Sequence, residues 1–597
     1  MLREEQSDGA HSSPFDHDDA PERGPPAIGI VGGGPSAAYT LKYLVERLDK
    51  GRIVLFEAGE RAGVGTPFAR RNNPRSMLAN IADIELPPLT HSLLDWLRQL
   101  PAAARSDLGV TCDQLDERHF FPRMVLGEYF AQQVDALVAA GRAKGLAIEI
   151  RTRTPVDDLV AHAGQIEVVA RRGPFRTAEM FDYVVLATGH QAPRPLADAP
   201  GLLRPYGGHA RVAFLRRLGI IGSSLSAIDV AVAQAFRVGS FERVGGALVF
   251  YPRAGEEDRS ITMLSRSGLL PEADFYCPIP YEPLSLFTRE AVEQAASGDQ
   301  ALDRVFALFA AELAAVDPDY AARIDLAKCT ADSFADRYFA ARQGADPFAW
   351  AEANLVEAKR NAEARHTVPW RYAILRMHEL FGEVRASFSA SDAERFDAGL
   401  KRVFIDNYAA VPPQSIERIL ALHRAGVLSL HRLEQDYTMD CDADGQWTVS
   451  DYGDAWTFDG IVDARGQGAL GQEDFPFPTL RMQIRASALR NGATTDAIPM
   501  TRDNALAAQG DPLARVFCLS LPFLMWRNPF VQGLTAAHDI GRAAAKAIVD
   551  SIGEVGEATH WREDIHRLIG ELDETVPIYC GTPTGAVPVH LPVAAAQ

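Results

Sequence analysis

The residues of this chain best suited to chemistry are Gly32, Gly34, Ala37 and Glu57. Gly32 and Gly34 open the turn Gly32-Gly-Gly-Pro-Ser-Ala37, which has the spacing G-x-G-x-x-G/A. Gly32 makes the tight turn, Gly34 lets the backbone approach a pyrophosphate, and small Ala37 lets a helix pack closely on a strand. The N–H groups at the helix start, around Pro35 and Ser36, then face the phosphates, and the carboxylate of Glu57 accepts from a ribose hydroxyl. An acid at that place favours a free 2′-hydroxyl, so the nucleotide expected here is FAD or NAD rather than NADP.

A second turn of the same kind begins at Gly222. Gly222, Ser223, Ser224 and Leu225 follow the apolar run Leu218–Ile221, with Ser224 standing where a second glycine would be. A hydroxyl loop still donates to phosphate, although the backbone approach is less close. The next apolar run, Ile261–Leu264, ends in Ser265-Arg266 rather than an acid, and an arginine there suits a 2′-phosphate. FAD in the first turn and NADPH in the second is the natural assignment. A third run, Tyr183–His190, reads as a strand ending in Thr188-Gly189, at the kind of strand end where parallel sheets hold ligands.

The elements that must position these residues follow from periodicity. Runs 27–31, 53–56, 183–187, 218–221, 261–264, 428–433, 446–450, 458–463 and 516–520 read as strands, and helical spacing follows each glycine turn. From 286 to 425 the composition shifts to Ala, Glu, Arg and Leu with helical period. Val305, Phe309, Glu312 and Val316 share one face; so do Phe396, Leu400 and Val403, then Ile416, Leu420 and His423 before Gly426. The expected fold class is α/β, with two Rossmann-like dinucleotide-binding domains, one for FAD and one for NADPH, and a large helical insertion. The expected order is a flexible tail (1–25), the first part of the FAD domain (26–215), the NADPH domain (216–285), the helical insertion (286–425), a return to the FAD domain (426–550) and a C-terminal extension (551–597). No internal repeat is evident by eye.

Composition bounds the rest. The 597 residues carry a net charge of −19, which argues against nucleic acid and anionic membrane as partners. The six cysteines are scattered, without a C-x-x-C pair or zinc-site spacing, so no metal is expected. The longest apolar stretch, Val516–Trp526, falls short of the roughly 18 residues of a spanning helix. No basic-then-apolar signal opens the chain. We expect a cytoplasmic protein, with a homo-oligomer left open.

Several longer stretches resemble a bacterial family of two-dinucleotide-binding FAD/NAD(P)-binding proteins. They are Met77-Leu-Ala-Asn-Ile-Ala-Asp83, the run from Ser265 to Pro280, His366-Thr-Val-Pro-Trp-Arg371, Phe404-Ile-Asp-Asn-Tyr-Ala-Ala410, Asp463-Ala-Arg-Gly-Gln467 and Pro529-Phe-Val-Gln-Gly-Leu-Thr535. The resemblance covers about residues 27–549. Its relatives include flavin-dependent N-monooxygenases that oxidise L-aspartate to nitrosuccinate. It implies FAD phosphates on Gly32, Gly34 and Ser36, flavin contacts near Asn80 and from Gly533 through Leu534 to Thr535, and NADPH along Gly222–Leu225 with Arg266.

The activity so implied is that of an NADPH-dependent flavin monooxygenase. A flavin hydroperoxide formed with O₂ would hydroxylate the nitrogen of a small amine or amino acid, L-aspartate being one option. The cofactor supplies the hard chemistry, so no catalytic side chain need be visible in the sequence. An acidic substrate would want guanidinium clamps, and Arg123, Arg371 and Arg527 are the candidates, with His366 as a proton carrier. For the arginines a structural ion pair competes with that role, and for His366 a structural hydrogen bond. Two other readings stay open: an FAD-dependent NAD(P)H oxidoreductase or oxidase without oxygen insertion, and a non-catalytic flavin-binding interaction protein.

Overall fold

The computed structural model describes residues 25–190, 201–206, 212–466, 468–490 and 496–552. The tail read at 1–25 and the extension read at 551–597 therefore fall almost wholly outside the described residues. Among those described, the apolar run Ala27–Val31 forms strand β1, bounded by Gly32. Its neighbours are β2 (Arg52–Phe56) and β7 (Tyr183–Leu186), both parallel to it. With β3 (Ala147–Arg151) and β17 (Val516–Cys518) they make a five-stranded sheet in the order β17-β7-β1-β2-β3. Apart from Arg52 at the start of β2, strands β1, β2 and β7 are apolar along their length, as strands buried on both faces must be. Helix α1 (Pro35–Arg47) joins β1 to β2 and buries Ala37, Tyr39, Leu41, Leu44 and Val45.

A second parallel sheet, in the order β12-β11-β8-β16, repeats this plan. Its strands are β8 (Arg217–Ile221), β11 (Ser260–Ser265), β12 (Leu428–Arg432) and β16 (Gly460–Asp463). Helix α2 (Leu225–Val238) follows β8 as α1 follows β1, and a hairpin, β9 (Gly239–Val244) with β10 (Ala247–Pro252), precedes β11. Each unit also carries an antiparallel three-stranded meander: β4–β6 (within 156–181) before β7, and β13–β15 (within 438–458) before β16.

The correspondence reaches single residues. A Cβ at Gly29 would lie 3.3 Å from the Phe181 ring, and one at Gly219 3.0 Å from the Phe458 ring. Asp182 accepts from the N–H of Ala27, and Asp459 from those of Arg216 and Arg217. Phe181-Asp182 and Phe458-Asp459 are thus equivalent corners, and the molecule contains a structural repeat that is not evident in the sequence.

One boundary needs correction. The stretch from 426 was read as a return to the first unit, but β12 pairs with β11 and β16 with β8. The helical region therefore interrupts the second unit between two of its strands. Leu428 and Val462 complete that unit's core, which neither half could close alone. The first unit is resumed only later, through helix Pro478–Arg490, whose Thr479 donates to Asp158 of β4, and through β17 and helix α4 below.

The insertion runs from helix Arg289–Ala295 to helix Pro413–Arg424; most of it packs around a phenylalanine-rich core of its own, while helices Pro347–Ala364 and Pro413–Arg424 pack into the second unit's core. Its helices include α3 (Pro369–Val384). The face through Phe396, Leu400 and Val403 is shared by two short helices that meet at Gly399. Glu312, buried on an apolar face, accepts from the backbone N–H groups of Ser285, Leu286 and Phe287, fixing the entry to the insertion. The chain ends its described part in helix α4 (Gly533–Ile552), which lies along α1. Gly541 permits that approach: a Cβ there would stand 3.0 Å from the Thr40 nitrogen. No helix among the described residues is long and apolar enough to cross a membrane.

Candidate dinucleotide sites and their junction

At the carboxyl end of the first sheet, Gly32 has φ +96°, and a Cβ there would be 2.3 Å from the carbonyl oxygen of Ala187. Only glycine fits. Its N–H donates to Phe56 O at 2.8 Å, which closes the turn onto β2. Glu57 accepts from Gly33 N–H at 2.8 Å through one oxygen and from Gly59 N–H at 2.5 Å through the other. The carboxylate is thereby aimed beside the turn without a cation on it among the described residues, and lone pairs remain for a ribose hydroxyl.

Gly34 differs from Gly32. Its φ is −82°, and the nearest atom to a Cβ would be Gly65 Cα at 3.5 Å, an ordinary contact. The protein's own packing leaves room at 34, and a close-lying pyrophosphate would fill it. Gly34 is also the N-cap of α1, without a side-chain cap and with Pro35 in the first turn, so the N–H groups around Ser36 face outward. Ala37 is fully buried beneath them.

Thr188 donates its N–H to Ser520 Oγ at 3.1 Å and shares a 2.6 Å hydroxyl bond with it, which ties the ends of β7 and β17. Gly189 (φ +69°) and Gly533 (φ +80°) both face open space. Leu534 is a core residue packed with α1, so its backbone alone is available to a ligand, while Thr535 is exposed. Asn80 is partly exposed next to Ala79, whose N–H donates to Phe121 O at 2.8 Å. These features fit the adenine dinucleotide of FAD.

The second crevice is built alike. Gly222 has φ +123°, its N–H donates to Leu264 O at 2.7 Å, and a Cβ would be 3.0 Å from Ala464 O. Ser223 donates to Leu269 O at 2.6 Å and to Ser265 Oγ at 3.1 Å, bracing the turn as Glu57 braces the first. Ser224 is the N-cap of α2, exposed, with its hydroxyl uncommitted to the helix. Leu225 packs partly against the core. Arg266 is exposed and makes no ion pair among the described residues. The donor set fits a phosphorylated nucleotide.

The substrate candidates fare unequally. Arg123 is mostly but not fully buried, donating to Leu78 O (3.1 Å) and Tyr206 Oη (3.0 Å) and pairing with Asp229 of α2 at 2.6 Å. Arg371 is buried in an ion pair with Glu272, part of a network with Trp350, Arg342, Asp406 and Tyr338. Both guanidiniums are committed to internal partners, because a buried arginine is stable only when paired. Sequence spacing could not show this, since the partners lie far along the chain. His366 is exposed at the end of helix Pro347–Ala364, and its ring makes no hydrogen bond among the described residues. Arg527 lies beyond the end of β17 and donates to Thr501 O, to Arg502 O at 3.3 Å and to Asn504 Oδ1 at 2.9 Å. None of these acceptors is charged, and burial lowers its pKa.

One cluster escaped sequence reasoning. Glu85, Asp274, Arg118, Cys277 and Tyr281 meet where the 77–85 loop of the first unit, the segment after β11 and helix α3 converge. Arg118 donates to Cys277 O at 3.1 Å and covers Tyr276 at 4.5 Å, and Arg376 of α3 covers Tyr281 at 4.4 Å. Burial, with Glu85 beside it, pushes the Asp274 carboxyl up to about 8, and burial raises Glu85 as well. Phe530 joins the same region to α4: it inserts into the insertion's core beside His378 and Tyr408, three residues before Gly533.

Comparison with known proteins places these features. A family model described as FAD-NAD(P)-binding matches residues 29–191, and one described as YdhS-like middle domain matches residues 288–408. The uncharacterized protein YdhS of Escherichia coli (strain K12) is 42% identical over 530 residues, covering 87% of this chain and 97% of that protein. Solved structures resemble it more distantly. An ornithine N-hydroxylase from Kutzneria sp. 744 is 13% identical, covers 89% of this chain and 100% of its own, and has a TM-score of 0.49. For the L-lysine 6-monooxygenase of Pseudomonas syringae the values are 14%, 88%, 100% and 0.45. For the bacillithiol disulfide reductase of Bacillus cereus they are 12%, 88%, 100% and 0.40.

Proposed function

The chain belongs to the family of the Escherichia coli protein YdhS, and from that premise we propose that it is an FAD- and NADPH-dependent monooxygenase that N-hydroxylates a small amine or amino acid. The observation that carries the reading is the pair of like turns with unlike recognition groups: Glu57, held by two amides, at the first, and the unpaired Arg266 at the second. A carboxylate suits a ribose 2′-hydroxyl and a guanidinium a 2′-phosphate, so FAD belongs to the first crevice and NADPH to the second.

Gly32, Gly34 and Ser36 would hold the FAD phosphates, and the N-terminus of α4 would face the electron-rich end of the flavin. Gly222, Ser223 and Ser224 would hold the NADPH phosphates. Bound, these groups would supply hydride transfer and the activation of O₂. The chain's part is to orient them, to exclude water, and to bring the substrate nitrogen alongside. Phe530, anchored in the insertion's core, fixes the approach to α4 and so ties the insertion to the flavin end of the site.

L-Aspartate as the substrate rests on the sequence resemblance. With Arg123 and Arg371 paired internally, Arg527 is the guanidinium left for a substrate carboxylate. Oxygen insertion is favoured over disulfide reduction because the five described cysteines are all unpaired, and burial pushes the Cys277 and Cys518 thiols up to about 12.

The deciding experiment records absorbance of the purified, flavin-loaded protein with NADPH in air against a panel of amines and amino acids. NADPH oxidation stimulated by an amine, with a hydroxylamine or nitro product, is expected. Peroxide as the sole product with every amine would make it an oxidase, and absence of NADPH oxidation would leave a binding protein. Arg527→Ala is expected to raise KM for a carboxylate-bearing substrate about tenfold or more, as loss of a charge-assisted hydrogen bond does, with NADPH KM unchanged.

A further inference from the structure

The arginine at the second crevice does not stand alone. Ser265, which precedes Arg266, is the register partner of Arg432, the last residue of β12. The turn from Ser265 to Gly268 is held by Ser265 Oγ, which accepts from Gly268 N–H at 3.1 Å and from Ser223 Oγ at 3.1 Å. Gly268 has φ +63° and brings the turn back onto β12, where a Cβ would be 2.9 Å from Arg432 Cβ and 3.4 Å from its Cγ. The stem of Arg432 therefore lies against the loop that presents Arg266.

The charges of the two arginines are scarcely neutralised. Arg266 has no ion pair among the described residues, and Arg432 has one long contact, 3.7 Å to Glu434, with both side chains more than half exposed. Such a contact contributes little. The first unit offers the contrast. Its β3 also ends in an arginine, Arg151, but that residue is clamped by Glu149 at 2.7 Å and Glu179 at 2.6 Å. Where the nucleotide carries a free 2′-hydroxyl the strand-end arginine is neutralised; where it would carry a phosphate it is left open.

We propose that Arg432 is a second clamp for the nucleotide 2′-phosphate, acting with Arg266 from the neighbouring strand end. The proposal rests on the reading of the second crevice as the NADPH site. Two guanidiniums on adjacent strands repel unless a dianion lies between them, and a 2′-phosphate offers oxygens to both forks. Sequence spacing hides Arg432, because the whole insertion separates it from Arg266.

The test is equilibrium binding of NADP⁺ and NAD⁺ to the FAD-loaded protein by calorimetry, which needs no turnover. Wild type is expected to favour NADP⁺. Arg432→Gln, which keeps the stem against Gly268, is expected to weaken NADP⁺ roughly tenfold or more and to leave NAD⁺ within about twofold. Arg432→Lys, which keeps the charge without the fork, is expected to fall between. Equal weakening of both nucleotides would mean that Arg432 only supports the turn and would overturn the proposal. So would unchanged NADP⁺ binding in Arg432→Gln when Arg266→Gln abolishes the preference, a result that leaves the NADPH reading intact. Wild type binding NAD⁺ as tightly as NADP⁺ would remove that reading and Arg432's role together.

Discussion

Two glycines two positions apart in one turn answer to different constraints, and substitution separates them. Gly32 is held by the fold: φ is +96° and a Cβ would strike the Ala187 carbonyl at 2.3 Å. Gly34 lies at an ordinary φ with 3.5 Å of clearance. Gly32→Ala is therefore expected to destabilise the protein by on the order of 2 kcal/mol or more, with or without flavin, because a backbone carbonyl cannot step aside. Gly34→Ala is expected to leave the melting temperature of the flavin-free protein nearly unchanged and to abolish flavin retention on gel filtration. A flavin-free Gly34→Ala protein that melts as low as Gly32→Ala would refute the idea that a ligand sets the residue at 34.

At the scale of elements, the units of the α/β fold were legible wherever strand, turn and helix are consecutive, as in β1–α1–β2, because the glycine spacing and apolar period are local. What required the structure was pairing between distant segments. Arg371 looks like a free guanidinium in Pro-Trp-Arg until Glu272 folds onto it from 99 positions away. Strand β12 reads as a return to the first unit because nothing local says that its neighbour is β11. The repeat rests on a few glycine, phenylalanine and aspartate positions, too few to stand out along the chain. The Glu85–Asp274 meeting was equally invisible and has a measurable consequence. With its carboxyl pushed up to about 8 by burial and by Glu85, Asp274 keeps its proton in the folded state over a range where the unfolded chain has lost it. The unfolded state binds fewer protons there, so this group makes stability fall as pH rises from about 4 to about 8. Asp274→Asn removes that slope. Its melting temperature should exceed that of wild type most at pH 8–9 and least near pH 4, with Glu85, Arg118 and Cys277 unchanged around it. A gain independent of pH would show that the carboxyl is not held protonated.

At the scale of the molecule, the proposed function requires the two units to keep one orientation, so that hydride could pass between their nucleotides, and Arg123 is placed to hold it. It begins the helix Arg123–Lys144, which is packed in the first unit's core, and it meets Asp229 of α2 in the second, with Tyr206 hydrogen-bonded to both. The side chains are 12% and 11% exposed, so neither charge is well solvated. Asp229 and Tyr206 raise the Arg123 pKa still further, so the pair persists across ordinary pH. Arg123→Met is expected to cost on the order of 3 kcal/mol, because Asp229 would stay buried after losing the guanidinium that pairs with it at 2.6 Å. Arg123→Met with Asp229→Asn should recover part of that loss, since the buried carboxylate goes with the guanidinium that paired with it. Denaturant melts of the two single variants and the double variant measure the coupling. The same proteins decide between this role and a clamp on substrate carboxylate. A positioning role lowers kcat in Arg123→Met and restores part of it in the double variant, with KM for the amine near wild type. A substrate clamp instead raises that KM alike in the single and double variants, since Asp229→Asn gives back no guanidinium.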